Sequence, residues 1–480
     1  MNHHMFLHAA AIVLTALVSP FASAGDGALD LTYSSGSEYY GGRLTIPFDL
    51  GGGNTDQAFG SVLQPDGKLV IVGSATSVMG DKDFAITRLM PDGSLDATFG
   101  INGKTTVAFD LPTSTTKNDI AHGVALQPNG KIVVVGTADG TLSGGSGASS
   151  VVLAQLMPDG SRDVSFGTNG KAVVGKPAST QTGLAVAIYQ GTIFAVGSSD
   201  NIAYRVVLDA TGNFQGSGAI TNFVWIGTAT SVSFNANGHA IVSGYYRNTN
   251  TNFPPLTNGY DCFVTSLRTT PPYNADSSFG TNGVFTFGFD FDGNNNDFCW
   301  GHAIQRDGKI VVVGQAEDVP AGATQAAVAR IEADGTNLDT SFGGSGTGKY
   351  FQYFEVNSQP NVARAIGLQS DGKIIVAGYG SVLDPARAPF DFGVMRLNQN
   401  GSSDPTFVGN TAGSRPGTVM IGFEDVNRNS GEDDGSFALS IDSADRVYAV
   451  GQAQSAGADY DMAVARLQSD KIFVDGFESP

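Results

Sequence analysis

The sequence predicts an all-β fold: a seven-bladed β-propeller of four-stranded antiparallel blades, closed by an N-terminal strand that completes the last blade. Three observations predict it. First, a tight turn runs into a short apolar strand that ends at glycine, Gln64-Pro65-Asp66-Gly67-Lys68-Leu69-Val70-Ile71-Val72-Gly73, and versions of it occur seven times. Second, the closing glycines (Gly73, Gly136, Gly197, Gly244, Gly314, Gly378 and Gly451) are 63, 61, 47, 70, 64 and 73 residues apart. A period that long holds about four strands, and such units stack radially. Third, 64 glycines without a G-X-Y period mark many turns and short strands.

Taken in order, the chain opens with an apolar run from Ala9 to Phe21, followed by Ala22-Ser23-Ala24. This reads as a signal peptide over residues 1–24, cleaved between Ala24 and Gly25. The run is shorter than the roughly 20 residues of a membrane span, and no later segment is long and apolar enough to be one. The remaining residues, 25–480, form the propeller. All 26 Lys+Arg and 45 Asp+Glu follow Ala24, so the mature chain keeps a net charge of −19. Such a polyanion is repelled by nucleic acid and anionic lipid.

Each unit then carries four strands. Strand A precedes the Asp-Gly or Asn-Gly turn, as in Gly123-Val124-Ala125-Leu126-Gln127, and strand B follows it, as in Ile132-Val133-Val134-Val135. The unbroken apolar run of strand B fits burial on both faces between blades. Strand C, as in Asp83 to Leu89, ends at a second turn, Pro91-Asp92-Gly93-Ser94, and strand D is Lys104 to Phe109. The turn-plus-strand, followed by Arg88-Leu89-Met90-Pro91-Asp92-Gly93-Ser94-Leu95-Asp96-Ala97-Thr98-Phe99-Gly100, resembles the delta-60 repeat family of bacterial β-propellers. The resemblance is closest at residues 64–110, 127–175, 306–343 and 369–407. It departs at the third and fourth units, where Tyr189-Gln190-Gly191 and Asp209-Ala210-Thr211-Gly212 replace the turns. The resemblance implies the fold and export, and it brings no catalytic motif.

The ends fit ring closure. The seventh unit has a C strand, Asp461 to Leu467, and no D strand after it, while residues 43–49 read as a D strand without a blade. This closing strand is expected to complete the seventh blade and remove the open sheet edges. In the tail, 471–480, Asp475 and Phe477 align with Asp96 and Phe99, which suggests a repeat remnant. Its Phe473-Val474-Asp475-Gly476-Phe477-Glu478 run also resembles a short ending of some exported bacterial proteins, which leaves a docking or sorting role open.

Because strands alternate in direction, the Asp-Gly turns share one face, nearly uniform between units. The B–C and D–A loops share the other face and vary in length. Variable loops on a rigid scaffold are where function usually lies. Cys262 and Cys299, the two cysteines, fall on that face in neighbouring blades. A disulfide between them is expected; two free thiols are the alternative.

Candidate chemistry is acidic. Asp56, Asp119, Asp297 and Asp434 share one offset before each turn, with Asn361 in the sixth unit, and short side chains there can accept backbone N–H bonds at loop ends. The rival reading is Ca2+, which takes oxygen ligands. Asp290, Asp292, Asn294 and Asp297 form one candidate loop, and residues 425–434 a second, although neither has the EF-hand glycine or terminal Glu. Arg88, Arg330, Arg396 and Arg466 recur with Asp96, Asp339, Asp404 and Asp475 eight or nine residues on, a spacing that suits an ion pair holding the C–D turn. His122 and His302 lie on A strands, the expected channel lining. Trp225, Trp300, Tyr245, Tyr246 and Tyr260 are candidate stacking platforms for a sugar, with packing as the alternative.

No hydrolase, zinc, redox or phosphate-loop motif is present. The sequence reading is therefore an exported binding or scaffold protein, periplasmic, cell-surface or extracellular and expected to be a monomer. It would recognise a protein or glycan partner through its variable loop face. One alternative is an extracellular polysaccharide hydrolase or lyase with acids at the channel mouth. Another is a structural envelope component.

Overall fold

A computed structural model describes residues 26–469 apart from 35–40, 143–147, 177, 221–225, 248–258, 291–295, 319–322, 356–359, 382–389, 412–413, 424–433 and 455–458. Its strands form seven four-stranded antiparallel sheets. Blade 1 runs through Gly51–Leu63 (strand A), Leu69–Ser77 (B), Lys82–Leu89 (C) and Lys104–Val107 (D). Five further blades repeat that order from Asp119, Gln181, Ile226, Asp297 and Asn361. The third and fourth, whose turns depart from the repeat, still form complete sheets.

Strand B is buried because a blade lies against each of its faces. Val70 and Val72 pack with Ile132 and Val134 of blade 2, while Ile71 packs with Val450 and Val464 of blade 7. Alternation along one strand thus feeds two different interfaces.

Blade 7 joins the two ends of the chain. Gly435–Ile441, Val447–Gln454 and Tyr460–Leu467 supply A, B and C, and Arg43–Ile46 supplies D. Arg43 pairs with Ala465 and Ile46 with Met462. The closing strand is shorter than expected, since Asp49 turns into positive φ. The closure also begins earlier than expected. Leu29 bridges Leu467, as Leu95 bridges Leu89 in blade 1. Asp30 pairs with Arg466 at 2.8 Å, and Tyr33 lies under that guanidinium at 4.3 Å.

Asp30 and Tyr33 therefore hold the places assigned from sequence to Asp475 and Phe477, and that assignment is corrected. The spacing Leu29-Asp30-Leu31-Thr32-Tyr33 matches Leu95-Asp96-Ala97-Thr98-Phe99. The tail's own residues, like Ala24, Gly25 and the leader, lie outside the described residues.

The other three pairs are as expected: Arg88–Asp96, Arg330–Asp339 and Arg396–Asp404. Each arginine also stacks on an aromatic ring, Phe99, Phe342 or Phe407, at 4.6 to 4.9 Å. Each reaches the next blade too: Arg88 donates to Pro158 O, Arg330 to Gln399 O and Arg466 to Pro91 O, while Arg396 meets Asp26. The uniform face is a belt that ties blade to blade.

Candidate functional site at the channel mouth

Every A strand contains a bulge at one shared place. The ladder to strand B skips a residue between Ala58 and Gly60, Ala121 and Gly123, Gly183 and Ala185, Ala229 and Ser231, Cys299 and Gly301, Ala363 and Ala365, and Ser436 and Ala438. A bulge leaves one residue unpaired and re-aims its side chain. The skipped residues are Phe59, His122, Leu184, Thr230, Trp300, Arg364 and Phe437, one from each blade, and all are half-buried.

The bulge explains the glycine that closes each repeat. A Cβ on Gly73 would sit 1.7 Å from Gln57 O, and one on Gly314 2.0 Å from Phe298 O. The other five closing glycines face an A-strand carbonyl at 1.8 to 2.0 Å. No side chain fits there, so glycine lets strand B approach the bulged strand.

Six of the seven skipped residues line one cavity of about 250 Å³ on the ring axis, together with His302. Phe59 stands between His122 at 5.4 Å and Phe437 at 5.7 Å, while Arg364 lies 3.9 Å over Trp300 and 5.9 Å from Phe437. The predicted channel histidines are thus where expected. Burial lowers both to about 4, so they are neutral at pH 7. His302 is also held between Ser233 and Ser243, at 2.8 Å from each hydroxyl. It serves as a hydrogen-bonded bridge between blades 4 and 5.

Towards the variable face the channel is rimmed by aromatic rings. Tyr245 contacts Tyr260, Phe298 and Trp300 at 5.6, 4.9 and 5.5 Å, and Phe298 stacks on Trp300 at 6.0 Å. Tyr379 continues the rim to Phe390 and Phe437. Amides are interleaved with the rings. Gln57 donates to Gln452 at 2.6 Å, and the Trp300 indole N–H points at Gln315 Oε1 at 3.4 Å. Of the sequence candidates, Trp300, Tyr245 and Tyr260 meet here. Tyr246 is packed in the core of blades 3 and 4, and Trp225 lies outside the described residues.

Sequence reasoning missed Phe298, Arg364 and Phe437. The signal was present: Trp300, Arg364 and Phe437 each stand fourteen positions before their closing glycine, as Phe59 and His122 do.

The rim is rigid underneath. Cys262 and Cys299 form the expected disulfide, joining strand C of blade 4 to strand A of blade 5. The Asp297 amide donates to Tyr260 O at 2.7 Å, and the Tyr260 amide donates to Asn296 Oδ1 at 3.2 Å.

The recurrent acids sit behind this rim and act on the backbone. Asp297 accepts the amides of Phe289 at 2.6 Å and Asp290 at 3.1 Å. Asp119 accepts those of Phe109 and Asp110, Asp56 that of Phe48 and Asp434 that of Phe423. Asn361 does the same for Phe354 at 2.9 Å. Each latches the end of one blade's D strand to the start of the next blade's A strand.

Burial pushes Asp119 and Asp297 up to about 7 against these amide donors, and lifts Asp83 and Asp261 to about 6. Asp261, Asp290 and Asp297 bring donor oxygens within 4.8 Å of one another. Asp292 and Asn294, the other two members of the candidate calcium loop, lie outside the described residues. The set present offers three carboxylates, against the six to eight oxygens calcium takes. Lys349 already stands 3.8 Å from Asp290.

Fold and site together define a repeat-built β-propeller with a ligand-sized opening on its axis. Residues 64–99, 127–166, 305–342 and 369–407 match the family described as "Domain of unknown function (DUF5122) beta-propeller". These segments carry the Asp-Gly turn, strand B, strand C and the C–D turn of blades 1, 2, 5 and 6. No curated protein matches the chain. Similar solved structures include a protein of unknown function from Dyadobacter fermentans, 11% identical over 89% of this chain and 98% of that one, at a TM-score of 0.45. A polysaccharide lyase, an ulvan lyase, is 10% identical over 92% and 94%, at 0.45. The alpha-L-arabinofuranosidase of Fusarium graminearum is 10% identical over 91% and 99%, at 0.41.

Proposed function

We propose that this chain is an exported, monomeric binding propeller that takes a glycan at the channel mouth on its variable face. The observation that carries the reading is the rim itself: Tyr245, Tyr260, Phe298, Trp300 and Tyr379, interleaved with glutamine amides. Aromatic faces and planar amides are what a sugar's C–H surfaces and hydroxyls require. A cavity of about 250 Å³ is just below the usual range of small-molecule pockets, about 300–1,000 Å³. It suits the end of a chain, with further sugars lying across the rim. Export draws support from the leader-like N-terminus and from the disulfide.

Hydrolysis is less well served. Carboxyls raised towards neutrality are what acid catalysis uses, but Asp119 and Asp297 are fully buried and Asp261 nearly so, and half-buried Asp83 lines a different cavity, with Asp81 and Asp110, away from the aromatic rim. A glycan array probed with residues 25–480 tests the reading. Binding without turnover is expected, with at least a tenfold loss of affinity in Trp300→Ala and Tyr245→Ala. Absence of binding to any carbohydrate, or turnover of a bound one, would overturn it.

A further inference from the structure

The channel holds one cation without a described counter-charge. Arg364 is the skipped residue of blade 6, and its guanidinium lies 3.9 Å over Trp300 and 5.7 Å from Tyr379. Its one hydrogen bond within the described residues is a long one, from Nη2 to Tyr379 Oη at 3.4 Å. Its Nε is buried and donates to no described residue.

The contrast within the same chain is sharp. Arg88, Arg330, Arg396 and Arg466 are each matched with an aspartate at 2.7 to 2.8 Å. The chain carries 45 acids, and no described one pairs with Arg364. An arginine stays charged at any working pH and presents its donors as a planar fork. The unmade Nε bond is shared with Arg205 and Arg466; what sets Arg364 apart is a guanidinium that lines the cavity with no described carboxylate beside it.

The bulge re-aims Arg364 into the cavity, and Trp300 fixes its plane. The neighbouring skipped residues, Trp300 and Phe437, bring no charge, and His122 is neutral at pH 7. Among the described residues that line the cavity, Arg364 is therefore the one positive charge, with Lys82 further out on the rim amide Gln57, inside an acidic protein.

We propose that the ligand is an anionic glycan, whose uronate carboxylate or sulfate is held by the terminal nitrogens of the Arg364 guanidinium. This rests on the glycan reading of the rim and narrows it. The buried Nε is out of a ligand's reach, and a bidentate carboxylate or sulfate would take the two terminal nitrogens, Nη1 and Nη2, together, a fork that arginine geometry favours. The protein's overall negative charge repels long polyanions, so recognition falls on the end of such a chain.

The experiment compares four tetrasaccharides by calorimetry on residues 25–480: tetragalacturonate, its methyl ester, a sulfated carrageenan tetrasaccharide and neutral cellotetraose. The expected result is binding of at least one anionic sugar, tenfold or more above the ester and cellotetraose and weakening with salt. Arg364→Gln should remove that preference with an unchanged Tm, and Arg364→Lys should restore part of it. Preference for tetragalacturonate marks a carboxylate site, and preference for the carrageenan sugar a sulfate site. Equal binding of charged and neutral sugars, or an unaltered Arg364→Gln, overturns the proposal and leaves the glycan reading standing. No binding by any of the four overturns the anionic proposal, and silence across the wider array overturns the glycan reading as well.

Discussion

Asp119 and Asn361 occupy the same place in blades 2 and 6 and make the same hydrogen bond to the end of a D strand. They differ in what burial costs them. Asp119 is held at about 7, chiefly by burial, with Asp83 and Asp110 adding repulsion. A carboxyl whose folded value lies above its unfolded one, ordinarily about 4, favours the folded state only while protonated. Its contribution is complete below about pH 4 and is lost as the pH rises through about 7. Asp297 behaves alike. Asp119→Asn keeps an acceptor for the latch and removes the buried charge, as the protein itself does at Asn361. Thermal melts should show this variant stabilised by about 1–2 kcal/mol at pH 8, unchanged near pH 4, and with a shallower fall between. A destabilised Asp119→Asn at pH 8 would mean that the ionised carboxylate is what holds the strand.

At the scale of the element, the N-terminal segment is the informative one. The sequence made the closing D strand legible, because residues 43–49 read as a strand without a blade. It also held the rest of the closure, in the five-residue match between Leu29–Tyr33 and Leu95–Phe99. That match was obscured by the tail, where Asp475 follows Arg466 at the interval of Asp339 after Arg330, although Phe477 stands two residues after Asp475 where Tyr33 and Phe99 stand three after their aspartates. The interval from Arg466 alone could not separate the two, since either end can reach it in a ring. Contact does: Asp30 bonds Arg466, and Tyr33 packs beneath it. Loss of one partner from a buried ion pair costs about 3–5 kcal/mol. Removing residues 26–34 should therefore lower Tm sharply, while removing 471–480 should leave it nearly unchanged. A tail truncation that melts as early as the N-terminal one would return Asp475 to contention. The rim was less legible than the ring. Its residues differ in type from blade to blade, and only the bulge, a backbone feature, puts Phe59, Trp300 and Arg364 at one level.

Across the whole molecule the ring is not uniformly strong. Blades 1, 5, 6 and 7 carry the arginine–aspartate–aromatic cassette. Blades 2 and 4 have Gln155 and Ser266 in the arginine's place and keep the turn pair, Lys131–Asp163 and His239–Asp276, that blades 1, 5 and 6 carry beside their arginine. Blade 3 has Val207 in the arginine's place and runs by a tight turn into Phe214–Ala219, a strand with exposed positions and two glycines. Few buried contacts and solvent-exposed backbone bonds mark the part of a fold that opens first. Hydrogen exchange should be fastest in that strand among the D strands and slowest in the B strands. Uniform protection around the ring would show that the belt shares its stability among all blades.

The shared seventh blade also sets an order in time. Arg43 waits for Ala465, so nearly the whole chain must be made before its first strand finds a partner. Contacts this distant in sequence form slowly, because the loop they close is long. A newly made chain thus stays an open string of blades, unable to lock, until its last strands emerge. On the export proposed above, such a delay would keep the chain threadable during the crossing, and it follows from which end supplies the final strand.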